Sequence, residues 1–442
     1  MKLKKFYVFN SSYCTEEGQE SKKILYFYPA DTAINTQIRD VGRCEAILTF
    51  CETFHDGSKC EVVHTQNTRQ YLTEPEKGFF IVLTIFLDSE PESQRFSEPN
   101  DDILASILHQ SYFMYRLFYN TFTACTKKEG VEALKTRLNF FYLRYLQTLS
   151  FEQLTVSDIY RGIQFLPLDR LAFLRVQNFL AALEDSFQII KHSVFLYQNY
   201  LVWSGLGQHD MQCIYHYLVT SLFPSSAEQD QMYSPPRYLT GPVDLRSSGS
   251  IGKLPRVFLN HIDSIPPTEC TLIAYRSLNS TVILFVDGNV DLTFEWFIAL
   301  DLLLAPRLTE LSHELSDQCA ARKSHSSSSQ EQEVKFIYFN KLNLACKSTL
   351  SLLSAEALKN SNGLTQDIIS LADLHCSLKK LDQGELIART QGDTWIIGRK
   401  SDNREFFIIL QEKNYNLIDV EDEVRRLCNT QFSNIFLADS SK

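Results

Sequence analysis

The sequence predicts an α/β chain of the α+β type, organised as three domains that each pair an antiparallel sheet with flanking helices. One reason is recurrence. KFYVFN (Lys5–Asn10) and KFIYFN (Lys335–Asn340) nearly repeat, with the aromatic run HSVFLYQNYLVWSGL (His192–Leu206) between them. A strand opening that returns at about one-domain spacing points to copies of one unit. A second reason is element order, since residues 1–149 read as β-β-α-β-β-β-α-α. A third is length, because 442 residues make two to four domains at about 100–200 residues each. The expected division is 1–165, 166–323, a Ser-rich linker at 324–333, and 334–442.

The first segment is the clearest. KFYVFN and KILYFYP (Lys23–Pro29) read as strands, and Asn35–Phe54 has helical periodicity. CEVVHTQN, RQYLTE and GFFIVLTIFLD then return to strand. After the polar SEPESQRFSEPN, the run Pro99, Asn100, Asp101, Asp102 signals a helix start, with carboxylates at the positive end of the helix dipole. Ile103, Ile107, Met114, Phe118 and Phe122 mark one apolar stripe, and Gly130 is the expected break. A further helix carries Leu134, Leu138, Phe141, Tyr145 and Leu149 on one face. In the second segment a strand pair near Val194–Trp203 precedes a helix from Asp210, strands at Thr271–Arg276 and Val282–Val286, and a helix from Thr293. In the third, TWIIGRKSDNREFFIILQ reads as a hairpin turning at Asp402-Asn403, and a final helix from Asp419 carries Val420, Val424, Leu427 and Cys428 inward.

Composition narrows the function. A net charge of −10 argues against a general nucleic-acid binder, which needs clustered Lys and Arg to neutralise phosphates. The best apolar run, Phe79–Leu87, is far short of the roughly 20 residues a membrane span requires. The N-terminal MKLKKFYVFN is followed by polar residues, so no signal-peptide core forms and a cytosolic chain is expected. The 11 cysteines are an odd, scattered set and read as small buried hydrophobes.

Spacing decides each chemical motif. CETFHDGSKCEVVH (Cys51–His64) resembles a zinc ligand set. Cys44 and Cys51 lie within about 20° of each other on one helix face, while Cys60 and His64 are four apart on a strand, about 13 Å. That spacing favours packing cysteines, and no metal or other cofactor is expected. SSGSIGKL has Ser247 where a phosphate loop needs its first glycine and Leu254 where it needs Ser or Thr. DGNVDLTFEWFI has Leu292 and Ile298 at the glycine and bidentate-acid positions of a calcium loop. No covalent or metal-dependent catalytic set emerges. The helix Asn35–Phe54 does stand out, because its apolar arc spans roughly 200°, wider than covering one sheet requires. The surplus faces either another protein or another domain of this chain.

The residues also resemble a known family. Asn35-x2-Ile-Arg-x-Val-Gly-x-Cys-Glu-Ala-Ile, Phe50, Thr53-Phe54, His64-Thr65-Gln66, Arg69-Gln70 and Glu74-Pro75-Glu76 look like the first domain of the Ccz family. Arg144–Leu149, Trp203–Leu206, Thr220–Pro224, Lys335–Asn340 and Thr430–Phe436 continue the likeness in order, closest to animal members. The resemblance implies three longin domains and pairing with a Mon-family subunit through the first of them. It further implies that the pair is the guanine-nucleotide exchange factor for the late-endosomal Rab GTPase, working without covalent chemistry and only as a pair. Such a complex promotes endosome maturation and lysosome and autophagosome fusion, is recruited peripherally from the cytosol to endosomal membranes, and in animals carries a third, larger subunit. By resemblance the partner and Rab surface falls on Asn35, Ile38, Arg39, Glu45, Leu48, Thr49, His64, Thr65 and Gln66. A longin scaffold or tether without exchange activity is the alternative.

Overall fold

The computed structural model describes residues 2–14, 16–54, 60–87, 101–149, 159–224, 235–242, 245, 251–252, 254–260, 267–326, 334–349, 362–411 and 414–431. The helix exit His55–Lys59, the loop through Pro99 and Asn100, most of Pro224–Arg237, most of SSGSIGKL and the stretch Ser327–Glu333 lie outside them.

Among the described residues, strands form three antiparallel sheets. The first holds β1 (Lys2–Asn10), β2 (Ile24–Tyr28), β3 (Val62–His64), β4 (Thr68–Glu76) and β5 (Phe79–Phe86), in the order β2-β1-β5-β4-β3. Alternation along β1 sends Phe6 and Val8 to one face and Tyr7 and Phe9 to the other. The Tyr7 and Phe9 face is covered by α1 (Ile34–Glu52). The Phe6 and Val8 face is covered by α2 (Asp101–Tyr119), α3 (Phe122–Glu129) and α4 (Val131–Thr148).

One expected helix is two. The sequence predicts one run from Asp101 to a break at Gly130. Instead Asn120 takes a left-handed conformation (φ 67°), and Thr121 Oγ1 accepts from Ala124 N to cap a new helix. The Glu76 carboxylate accepts from the Phe122 and Thr123 amides at that helix start, where the dipole favours an anion. Phe122 therefore belongs to α3, not to the stripe of α2.

The second sheet runs β7 (Tyr200–Ser204), β6 (Ile190–Tyr197), β11 (Ser280–Asp287), β10 (Thr268–Ser277), β8 (Arg237–Thr240), with β9 (Arg256–Leu259) also pairing β10. The third runs β13 (Ala345–Ser348), β12 (Lys335–Asn340), β16 (Arg404–Leu410), β15 (Trp395–Ser401), β14 (Gly384–Arg389). Each sheet places its first and last strands side by side near the centre, so one topology occurs three times. On the second sheet α5 (Arg170–Ser186) and α7 (Phe294–Ser326) cover one face, and α6 (Gln208–Tyr217) lies on the other. On the third, α8 (Asn362–Lys379) and α9 (Leu417–Gln431) lie on opposite faces. Val420, Val424, Leu427 and Cys428 do point inward, and the Asp402-Asn403 hairpin forms with Ser401 paired to Arg404. The helix before the Ser-rich stretch extends through Ser326, so Ser324–Ser326 are its last turn.

The domains are joined by shared elements. α2 packs Ile103, Ile107 and Tyr115 on the first sheet and Met114 and Leu117 on the second, which is why it is apolar on most sides. The segment 159–168 runs between the other two domains. Ile163 bridges Ala345 of β13, and Phe165 bridges Leu201 of β7. Tyr160 lies in the core of the third domain, stacked on Phe339 with ring centroids 4.2 Å apart.

Candidate interaction surface of the first domain

The site is built on α1. Its inner face packs Val41 and Cys44 on a floor of Tyr7, Phe9, Phe27, Leu72 and Val82. The rings of this floor are stacked, Tyr7 on Phe27 at 5.2 Å and Phe9 on Phe80 at 5.1 Å. Burial pushes the Cys44 thiol up to about 12, so at neutral pH it is an uncharged packing group.

Two acids that interrupt the apolar arc have partners. Asp40 Oδ2 lies 2.5 Å from Lys5 Nζ, and Glu45 Oε2 lies 2.8 Å from Lys23 Nζ. These pairs fix the helix to β1 and to the turn before β2.

The roughly 200° arc therefore divides. Ile38 and Leu48 are half-buried and lean on the Tyr7 and Phe9 floor. Ile34, Phe50 and Phe54 are 50%, 64% and 72% exposed, and the Phe50 and Phe54 rings lie against each other with centroids 4.7 Å apart. Asn35, Arg39, Gly42, Ala46 and Thr49 recur every three or four residues on the exposed side. This face is a shallow polar and small-residue strip flanked at one end by two aromatic rings.

Of the residues expected at the interface, Asn35, Arg39 and Thr49 are brought together on this strip. Glu45 sits in its ion pair with Lys23. His64 is elsewhere. Val62 packs under the α2 side of the sheet and Val63 under the α1 side, so His64, two residues beyond Val62, projects to the α2 side. There its Nε2 lies 3.0 Å from Asp101 Oδ2. Thr65 and Gln66 are exposed in the β3–β4 turn, which Thr65 Oγ1 closes by donating to the Thr68 carbonyl at 2.9 Å. The His-Thr-Gln turn and the α1 strip thus occupy different parts of the domain. Phe50 and Phe54 were not among the residues expected at the interface, although the excess width of the arc was their signal.

The comparisons agree with this architecture. A family model described as the first longin domain of INTU, CCZ1 and HPS4 matches residues 3–120. Models described as Intu longin-like domains 2 and 3 match residues 190–319 and 330–427. The chain is 37% identical over 462 residues to the vacuolar fusion protein CCZ1 homolog of Xenopus tropicalis, covering 99% of this chain and 97% of that one. It is 38% identical over 464 residues to the Nematostella vectensis homolog, covering 99% and 98%. It is 26% identical over 448 residues to that of Dictyostelium discoideum, covering 98% and 97%. End-to-end similarity at this level, three matching domain models in order and three sheets of one topology place the chain in the Ccz family of longin-domain proteins, to which it belongs.

Proposed function

We propose that this chain is one subunit of a heteromeric guanine-nucleotide exchange factor for the late-endosomal Rab GTPase, acting in endosome maturation and in fusion with lysosomes and autophagosomes. Its partner is a Mon-family subunit that docks on the outer strip of α1. Membership of the Ccz family supports this, as does the name vacuolar fusion protein carried by its relatives. The observation that carries the docking site is the exposed Phe50 and Phe54 pair beside Gly42 and Ala46, whose small side chains let another backbone approach closely.

Exchange needs no covalent catalyst. A surface that binds the nucleotide-free GTPase better than the loaded form must, by linkage, weaken nucleotide binding by the same factor. This chain supplies part of such a surface, its partner supplies another part, and a third subunit completes the assembly. Membrane attachment in this reading is peripheral. No helix among the described residues is long and apolar enough to cross a membrane.

The test is release of fluorescent GDP from the late-endosomal Rab. The chain is added alone, with the Mon-family subunit, and as a Phe50→Asp variant with that subunit. Acceleration is expected only from the wild-type pair. A pair that assembles without accelerating release would make the chain a tethering scaffold, and activity from the chain alone would refute a composite site.

A further inference from the structure

A second site lies where the first domain meets the third. Asp102, in the first turn of α2, approaches His375 and Cys376, which are successive residues of α8. One ligand atom from each lies within 4.8 Å of the others. His375 is only 5% exposed, and its Nδ1 has no hydrogen-bond partner among the described residues. A buried ring nitrogen without a partner is costly unless something occupies it. The other ring nitrogen, Nε2, stands 3.7 Å from Glu405 Oε2. Glu405 is itself held by the Tyr160 hydroxyl and by Lys341 Nζ.

We propose that Asp102, His375 and Cys376 bind a divalent metal ion of the zinc class, which clamps the first domain to the third. Ligand chemistry selects that class. A thiolate and an imidazole favour zinc over magnesium or calcium, which take oxygen ligands. A carboxylate beside the outer nitrogen of a ligating histidine is the usual support of such a site. With the proton on Nε2 facing Glu405, the Nδ1 lone pair is left for the metal. Binding releases the Cys376 proton to solvent, so a thiolate and the Asp102 carboxylate, the latter shared with Lys379, face the dication. A tetrahedral zinc with bonds of ~2.0–2.3 Å sets its ligands roughly 3.3–3.8 Å apart, so small side-chain rotations close the set, and water takes the fourth position. Asp102 already meets Lys379 Nζ at 2.6 Å, an ion pair that orients its carboxylate at this junction. Cys44, Cys51, Cys60 and His64 are not among the residues that meet here.

The test is spectroscopic. The full-length chain, reduced and stripped with chelator, is titrated with cobalt(II) as a probe for zinc. One equivalent should give the visible bands of tetrahedral cobalt and a thiolate-to-cobalt charge-transfer band, both removed by adding zinc. Cys376→Ser should abolish the charge-transfer band, and Asp102→Asn should weaken zinc binding by roughly tenfold or more. Cys51→Ser should change neither. Absence of a saturable band in the wild-type chain overturns the site. So does a band that survives both Cys376→Ser and Asp102→Asn, which would place the ion on other cysteines. If Cys376→Ser fails to fold, the half-buried Asp102→Asn variant decides alone.

Discussion

Lys5 Nζ stands 2.5 Å from Asp40 Oδ2, tying the first strand to the middle of the helix that covers it. Asp40 is 8% exposed, an acid inside the packed side of α1. Lys5→Met should leave that carboxylate buried without its cation and cost about 2–3 kcal/mol. Lys5→Met combined with Asp40→Leu should recover most of the loss, because two apolar groups replace the pair. Melting temperatures of the single and double variants check this, and a double variant no better than Lys5→Met would deny the coupling.

The split of the α1 arc separates folding from docking. Leu48→Asp puts a charge against the Tyr7 and Phe9 floor and should lower the melting temperature markedly. Phe50→Asp acts at a surface position and should stay within about 0.5 kcal/mol of wild type while losing co-elution with the Mon-family subunit. Retained co-elution of Phe50→Asp would move the interface off this strip.

His216 gives a pH prediction. Burial, and then the adjacent Arg161, hold its pKa down to about 3, and Arg161 Nη1 donates to His216 Nε2 at 3.1 Å. The unfolded chain takes up this proton first, near ~6.5. The stability present above that pH is therefore lost as pH falls from ~6.5 towards the folded value, at up to about 1.4 kcal/mol per pH unit. A His216→Gln variant should show a flatter stability curve across that window. An unchanged slope would mean that other groups carry it.

Gly162 lies in the segment between the second and third domains. A Cβ there would overlap Cys346 Cβ and press on the Phe339 ring and the Leu344 carbonyl. Gly162→Ala should cost about 1–3 kcal/mol by overpacking, with the loss concentrated in the third domain. Hydrogen exchange should rise first in β12 and β13. Uniform exchange across the chain would refute a local effect.

Local pattern made much of this legible in the sequence. Aromatic and apolar runs bounded by turn residues exposed β1, β2, β4 and β5, the Asp402-Asn403 turn exposed its hairpin, and the 3.6-residue period marked the inner faces of α1 and α9. The short strands β8 and β9 escaped, because four residues beside loops carry too little alternation to separate strand from turn. The end of α2 is not legible locally, because a non-glycine residue, Asn120, supplies the left-handed break ahead of Gly130.

By itself the sequence determined the fold class, the threefold repeat of an aromatic strand opening, the family and the unusual breadth of α1. The fold class, the repeat and the breadth are properties of neighbouring residues that periodicity reports directly, while the family rests on the likeness of motifs along the whole chain. Only the tertiary structure decided which part of that breadth is covered, which sheet each residue of α2 serves, and that His64 turns away from α1 towards Asp101. It alone brought Asp102 to His375 and Cys376. The physical reason is that contacts between distant segments depend on how sheets and helices pack, and no local period encodes which distant side chain will stand opposite.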